Sequence, residues 1–217
     1  MYQEIVNYTN KHHVTLIAVS KTKPVEEITK LYDQGQRIFG ENKVQELVLK
    51  YEALPKDIQW HLIGHLQSNK VKYIAPFVAM IESVDSFDLL KIIDKEAIKS
   101  KKIIPVLLQF HIATEETKFG LDMSEAKGML DILKINPLSG VEIRGVMGMA
   151  SFTDDIDQVR REFKSLKDIF TLLKKEYFST KSTFCEISMG MSGDYKEAIA
   201  EGSTMVRIGS AIFGSKS

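Results

Sequence analysis

Short runs of Val, Ile and Leu alternate along this chain with longer segments in which apolar residues recur at helical spacing. The short runs have the length and composition of buried strands. They cover residues 15–19, 37–39, 59–63, 79–84, 103–110, 141–146, 184–187 and 205–208. The longer segments predict helices over residues 24–34, 43–53, 67–74, 87–99, 124–133, 154–177 and 194–201. Each predicted strand is followed by a helix, except the last, which is followed by a short tail.

This alternation of strand and helix predicts a parallel sheet. Eight such units in a chain of 217 residues predict an α/β fold of the (β/α)8 TIM-barrel class, formed by a single domain over residues 1–217. An open doubly wound sheet is the alternative, and it would place a glycine-rich turn after the first strand. Residues 20–24 form that turn here and contain no glycine, so the barrel is favoured.

Composition excludes several classes of protein. Hydrophobic residues make up 44% and charged residues 27%, and 29 Lys and Arg balance 29 Asp and Glu. A neutral net charge disfavours nucleic acid and anionic membranes as partners. The sequence has no membrane-spanning apolar run, and residues 1–13 lack the apolar core of a signal peptide. Cys185, the one cysteine, is expected to be a small core residue, and a reducing cytoplasm is the simplest location.

Two loops rich in glycine and serine follow the last two predicted strands, at residues 188–193 and 209–210. In a barrel of this class the chemistry lies at the carboxyl ends of the strands, and these two loops often bind phosphate. Glycine lets backbone N–H groups approach an anion, and serine adds hydroxyl donors. Glycine and serine also dominate ordinary turns, so the residues alone leave both interpretations open.

Closure of the barrel adds a lysine to this region. The last strand pairs with the first, which places Lys21 beside Arg207, Gly209 and Ser210. A lysine there can neutralise a phosphate, or its amine can form a Schiff base with an aldehyde, helped by a second cation such as Lys23. Two solvated loop lysines are the alternative.

Six motifs follow one another along the chain: AVSKTK (18–23), FGENKVQE (39–46), WHLIGHLQSNK (60–70), EETKFG (115–120), SMGMS (188–192) and VRIGSAIFG (206–214). In this order they resemble the pyridoxal phosphate homeostasis protein family, single-domain relatives of the alanine racemase barrel. Any one motif alone would be a weak signal, but together they cover nearly the whole chain.

The resemblance implies that the chain binds pyridoxal 5′-phosphate. Lys21 would carry it as an internal aldimine, Asn42 would lie beside its ring, and Arg207 would face the pyridine nitrogen. The residues implied around the phosphate are Ser188, Met189, Gly190, Ser192, Gly209 and Ser210. A permanent charge at Arg207 would disfavour protonation of the ring nitrogen and so restrain carbanion chemistry.

The function implied by the resemblance is intracellular vitamin B6 homeostasis, without strong catalytic turnover. We expect a cytoplasmic monomer that holds pyridoxal phosphate and hands it to apo-enzymes that depend on it. A pyridoxal-phosphate amino-acid racemase is the alternative. Alanine racemase takes a second base, a tyrosine, from a second domain, whereas only residues 211–217 follow the last strand here, so His61 or Lys118 would have to substitute.

Other features are weaker. A barrel enzyme acting on phosphorylated sugars, with Lys21 as a plain phosphate ligand, is a third hypothesis. His61 and His65 have a spacing that suits metal ligands on a helix, but they fall in a strand and a loop, so no metal site is expected. The segment before the first strand is short, so the leading helix is expected to be reduced compared with that of family members.

Overall fold

The computed structural model describes residues 1–114 and 119–214. Within these residues, eight parallel strands form a closed barrel in sequence order, and the last strand pairs with the first. The strands are β1 (Thr15–Val19), β2 (Ile38–Glu41), β3 (Gln59–Leu62), β4 (Met80–Val84), β5 (Ile104–Phe110), β6 (Val141–Gly148), β7 (Glu186–Ser188) and β8 (Met205–Ile208). The predicted (β/α)8 barrel is confirmed.

Helices surround the barrel and connect its strands. They are α1 (Tyr2–Lys11), α2 (Val25–Asp33), α3 (Val44–Ala53), α4 (Val71–Ile74), α5 (Phe87–Lys99), α6 (Met123–Ile135), α7 (Ile156–Tyr177), α8 (Tyr195–Ala200) and α9 (Ser210–Phe213), with a 3₁₀ turn at Ser68–Lys70 before α4. Every helix among the described residues is too short or too polar to cross a membrane.

Polar side chains decide where several helices begin. Asp155 accepts a hydrogen bond from the Gln158 N–H, so α7 starts directly after it, at Ile156, two residues later than the predicted residue 154. At α6, Asp122 and Glu125 form a capping box in which each side chain accepts from the other's backbone N–H. These caps satisfy N–H groups that have no partner inside the helix.

The core has two layers, because side chains on a strand alternate between the two faces of the sheet. The larger layer lies between the barrel and the helices, where Phe39, Trp60 and Phe163 are wholly buried. The smaller layer fills the lower interior of the barrel and contains Ile17, Met80, Leu107, Met147 and Met205. The interior of the barrel is therefore packed with side chains, as in other barrels of this class.

Two expectations about the ends of elements need correction. Cys185 is exposed and is not a core residue, because its neighbour Phe184 takes the buried position just before β7. The segment after β8, predicted as a tail, forms the short helix α9 instead, and the leading helix α1 packs Ile5 against Leu16 and Val206 where β1 meets β8.

Gly64 lets the loop after β3 approach the loop after β2. A Cβ at this position would lie 2.4 Å from the carbonyl oxygen of Asn42 and 2.7 Å from its Cα. Neither backbone atom can move away without shifting the end of β2. Gly128, in α6, is a useful contrast, because a Cβ there would meet nothing within 4 Å.

We expect Gly64→Ala to lower the free energy of unfolding by about 1–3 kcal/mol, because the added methyl group overlaps fixed backbone. Gly128→Ala should raise it by about 0.4–1 kcal/mol, because alanine restricts the unfolded chain and suits a helix. Urea unfolding of both variants measures the difference. A Gly64→Ala protein as stable as the parent would contradict the close approach of these two loops.

Candidate cofactor site

Barrel closure places a lysine, an arginine and a glycine on one side of the mouth. Ile17 on β1 and Met205 on β8 both lie inside the barrel, so Arg207, two residues after Met205, points inward as well. Lys21 follows Ile17 by four residues and lies exposed at the mouth. Gly209 packs on the end of β1, where a Cβ would lie 3.1 Å from the last carbonyl oxygen of that strand. The end of β1, two residues before Lys21, therefore adjoins the end of β8.

A buried network holds the residue before Lys21. The Ser20 hydroxyl donates to Glu41 Oε1 at 2.6 Å, and both residues have no exposed surface. Lys50 Nζ, from α3, donates to the same Oε1 at 2.6 Å and to the carbonyl oxygen of Ser20 at 2.7 Å. Helix α3 therefore fixes the peptide group that leads into Lys21.

The residue after Lys21 is held by the same helix. Thr22 has a left-handed backbone with a φ of 63°, which is unfavourable for a β-branched residue. Its N–H donates to Glu46 Oε2 at 2.8 Å, and Glu46 in turn lies 3.5 Å from Lys50 Nζ. Backbone in this region costs of order 1–3 kcal/mol and persists only where the surroundings impose it.

Lys23 is directed to the carboxyl-terminal segment. Its Nζ donates to the carbonyl oxygens of Phe213 at 3.2 Å and Gly214 at 3.4 Å, and it lies 3.6 Å from Glu27 Oε2. Lys23 thus ties the β1 loop to the end of α9, which is a structural role that the sequence did not indicate.

Burying the carboxyl group of Glu41 costs electrostatic free energy. Burial raises its pKa, and the hydrogen bonds from Lys50 and Ser20 only partly oppose this rise. Its Oε2 has no hydrogen-bond partner within the described part of the chain. The Lys50 charge is therefore needed to keep this carboxylate in the interior.

Backbone N–H groups of the β8 loop converge on a serine of the β7 loop. The Oγ of Ser192 accepts from the Gly209 N–H and from the Ala211 N–H, each at 3.3 Å. Ser210 lies between these two donors and is exposed. The arrangement joins the two predicted glycine- and serine-rich loops and directs two donors at one oxygen atom.

The β7 loop reaches this position through a glycine and an aspartate that binds the loop's own backbone. Gly190 has a φ of 94°, and a Cβ there would lie 2.5 Å from the Cβ of Ala198. Its carbonyl oxygen accepts from the Arg207 N–H at 2.9 Å. Asp194 accepts from the Met191 N–H, and burial raises the pKa of this aspartate.

A layer of polar side chains lies inside the barrel, above the apolar layer. Glu82 on β4 accepts from the Ser188 hydroxyl at 2.5 Å through Oε2, and His61 Nδ1 lies 2.7 Å from its Oε1. Arg207 donates through Nη1 to Ser188 Oγ at 2.5 Å and through Nη2 to the carbonyl oxygen of Gly148 at 2.9 Å. Arg207 is 4% exposed and Glu82 is wholly buried.

The charges of this layer stabilise one another. Burial alone would raise the pKa of Glu82, but the hydrogen bond and charge of His61, the charge of Arg207 and the Ser188 hydroxyl hold it below its ordinary value. Burial lowers the pKa of Arg207, opposed by the charges of Glu82 and Asp194. His61, considered as a substitute base at the rim, instead lies beneath the rim and is bound to Glu82.

The structure separates the residues implied around the phosphate into two groups. Ser192, Gly209 and Ser210 meet at the mouth, as described. Ser188 and Met189 do not present their side chains there: the Ser188 hydroxyl is bound within the polar layer, and the Met189 side chain is wholly buried among the helices. The Met189 N–H also donates to the Met205 carbonyl oxygen, at 3.2 Å.

Two further positions complete the comparison with the sequence. Asn42 is half-buried directly after β2, where the loop of Gly64 packs on its backbone. Lys118 lies outside the described residues, together with most of the motif at 115–120.

Sequence reasoning missed Glu82, Glu41 and Lys50. A signal existed for Glu82, because a charged residue stands inside an apolar strand on the same face as Met80. For Glu41 and Lys50 the sequence signal was weaker, because carboxylates at strand ends and lysines on helices are usually exposed.

Comparison with known proteins identifies the type of barrel. A family model described as alanine racemase, N-terminal domain, matches residues 2–217. The pyridoxal phosphate homeostasis protein of Aquifex aeolicus is 38% identical over 202 residues, which cover 93% of this chain and 86% of the relative. The Homo sapiens protein of the same name is 37% identical over 211 residues, which cover 93% of this chain and 76% of the relative.

Solved structures agree with the sequence comparison. PipY of Synechococcus elongatus PCC7942, solved with PLP bound, is 34% identical with a TM-score of 0.82, over 93% of each chain. An alanine racemase from Bartonella henselae shares the fold at 18% identity and a TM-score of 0.69, over 96% of this chain and 61% of that one.

These matches define a barrel of the alanine racemase N-terminal type. The chain belongs to the pyridoxal phosphate homeostasis protein family.

We expect Lys50→Met to lower the free energy of unfolding by about 3–5 kcal/mol near pH 7, because it leaves the buried Glu41 carboxylate without its cation. Folded Glu41 holds its proton to higher pH than the unfolded chain does. The stability that comes from protonated Glu41 is therefore full in acid and is lost as the pH rises through the folded pKa. The loss caused by Lys50→Met should accordingly shrink as the pH falls from about 8 to about 5.

Urea unfolding across this pH range measures the effect. Lys30→Met, the same substitution at an exposed lysine of α2, is the matched control and should change stability by less than about 0.5 kcal/mol. A Lys50→Met penalty that is small, or independent of pH, would show that Glu41 does not depend on Lys50.

Proposed function

We propose that this chain binds pyridoxal 5′-phosphate reversibly at the mouth of the barrel, with Lys21 as its covalent attachment point, and acts in intracellular pyridoxal phosphate homeostasis. The observation that carries the proposal is the meeting of three features on one side of the mouth. A strand-end lysine, two converging N–H donors and a buried arginine come together where β1 adjoins β8. The name of the relatives and the PLP-bound PipY structure support it.

The residues at the mouth fit the phosphate group. Ser192 Oγ occupies the point on which the N–H groups of Gly209 and Ala211 converge, so an oxygen acceptor already suits this position. A phosphate oxygen is a stronger acceptor than a hydroxyl, and the hydroxyls of Ser192 and Ser210 can then act as donors. We assign the phosphate to this cradle.

Bound pyridoxal phosphate supplies an aldehyde, which condenses with a lysine amine with loss of one water. Lys21 is the residue placed for this, since it lies exposed at the mouth on a loop whose backbone is held on both sides by α3. Lys23 is bound to the carbonyl oxygens at the end of α9 instead. An exposed attachment point also lets a competing amine reach the bond, which suits reversible binding.

The buried arginine favours a carrier over a racemase. A guanidinium facing the ring nitrogen, as implied for Arg207, disfavours a second positive charge there. An unprotonated ring stabilises a carbanion less well, and racemisation needs that stabilisation. We therefore propose that the protein is non-catalytic. We also propose that it is a cytoplasmic monomer, that Asn42 lies beside the ring of the bound cofactor, and that the protein gives the cofactor up to apo-enzymes.

Borohydride reduction tests the attachment point. The parent protein loaded with pyridoxal phosphate should absorb visible light, and after reduction its mass should rise by one cofactor, less the one water lost on condensation, plus the two hydrogens added by reduction. Lys21→Ala should abolish both signals, whereas Lys23→Ala, in the same loop, should keep them. A parent protein that takes up no pyridoxal phosphate would contradict the proposal. An adduct that persists in Lys21→Ala would show that another residue is the attachment point.

Loss of the Ser192 hydroxyl tests the phosphate cradle. Ser192→Ala should weaken binding of pyridoxal phosphate by about tenfold, the worth of one good hydrogen bond, and leave binding of pyridoxal unchanged. Ser100→Ala, at the carboxyl end of α5, is the control and should change neither affinity. Absorbance titration measures both ligands, and equal losses for the two would place the phosphate away from Ser192.

A further inference from the structure

We propose that Glu82 is a positioning residue that acts as the counter-ion of Arg207 and, through Ser188, fixes the guanidinium beneath the cofactor. The net charge of the buried polar layer would then set the protonation of the bound cofactor. This inference rests on the proposed function, because it concerns the same site. It adds a residue on β4 that touches neither the lysine nor the phosphate cradle.

The direction of the hydrogen bonds supports the assignment. Ser188 has one hydroxyl hydrogen, and Arg207 can only donate. Since Nη1 of Arg207 donates to Ser188 Oγ, the hydroxyl hydrogen is left for Glu82 Oε2, and both distances are 2.5 Å. The carboxylate also lies 3.8 Å from Arg207 Nη1 directly. Glu82 thus holds Arg207 by its charge and by the orientation of one hydroxyl.

The second carboxylate oxygen of Glu82 is also hydrogen-bonded. Glu82 Oε1 lies 2.7 Å from His61 Nδ1, and His61 donates from that nitrogen because a carboxylate oxygen can only accept. Glu82 has no exposed surface, which means that water does not compete for either oxygen. The two donors favour the charged form of the carboxylate, and a buried charge of this kind persists only with such partners.

The charged and titratable groups facing Arg207 are Glu82 from β4, His61 from β3 by way of Glu82, and Asp194 from the β7 loop. Glu82 is the carboxylate that offsets the arginine within the layer itself, and Asp194 contributes from the rim. Removing the charge of Glu82 would leave Arg207 without a counter-ion within the layer, with only Asp194 at the rim among the described residues. The bound cofactor would then sit in a more positive potential, which disfavours its protonated forms.

Glu82→Gln removes this charge while keeping the size of the side chain. We expect the pH midpoint of the bound cofactor's absorbance change to fall by about one unit, the effect of a unit charge acting over roughly 10 Å in a protein interior. Glu82→Asp keeps the charge and should restore a midpoint near that of the parent. Glu142→Gln, the same substitution beside Arg144 at the start of β6, should leave it unchanged.

The experiment is a spectrophotometric pH titration of the full chain loaded with pyridoxal phosphate, with borohydride trapping on Lys21 as a check of loading. A Glu82→Gln protein that forms the adduct but titrates like the parent overturns this inference and leaves the proposed function standing. A parent that takes up no cofactor overturns both. A midpoint that falls in Glu82→Gln and returns to the parent value in Glu82→Asp supports the role of Glu82 as the counter-ion of Arg207.

Ser188→Ala covers the case in which Glu82→Gln does not fold. This variant breaks the hydroxyl link but keeps both charges, 3.8 Å apart. The pH midpoint of the cofactor's absorbance change should fall here too, because the guanidinium is no longer held against Glu82. The fall should be smaller than in Glu82→Gln, which loses the charge. An unchanged midpoint in a loaded Ser188→Ala protein would contradict the role of Ser188 as the link.

Discussion

Pairing of β8 with β1 is the interaction on which the rest of this structure depends. Its ladder joins Leu16 to Val206 and Ala18 to Ile208, near the two ends of the chain. Closing so long a loop costs chain entropy, which burial of apolar side chains on both faces of the sheet offsets. Once the barrel is closed, the loop after β1 and the loop after β8 share one part of the mouth. In an open sheet these two strands would not adjoin, and the site would not exist.

Closure also creates an interior that has to be filled. The lower layer is apolar and packs like the interiors of other barrels, whereas the upper layer contains Glu82, His61, Ser188 and Arg207. Charges in such a place are tolerated only when each is paired and hydrogen-bonded, because isolated burial of an ion is very costly. The result is a charged surface under the mouth whose groups are held in one arrangement before any ligand arrives. Preorganisation of this kind reduces the ordering that binding would otherwise require.

The loops at the mouth are held from outside the barrel. Helix α3 binds the backbone on both sides of Lys21, and Ser192 joins the β7 loop to the β8 loop. The contacts that hold the site therefore lie behind and beside it, and the face toward solvent is left to the ligand. Such an arrangement suits a protein that takes up a small phosphorylated aldehyde and releases it again. It also explains why the functional motifs lie in loops while their supports lie on helices and inner strand faces.

The sequence alone determined the order of the strands, the closed barrel, the pair of glycine- and serine-rich loops and the place of Lys21 just after the strand that pairs with the last one. These follow from local periodicity and from the single rule that the last strand of a barrel pairs with the first. Only the tertiary structure decided that Ser188 and Met189 point away from the cradle, that Glu82 pairs with Arg207, and that Lys50 supports Glu41. The Glu82–Ser188 bond spans 106 residues. The face a strand residue occupies depends on register, which sequence patterns leave uncertain by a residue or two, and a shift of one residue reverses it.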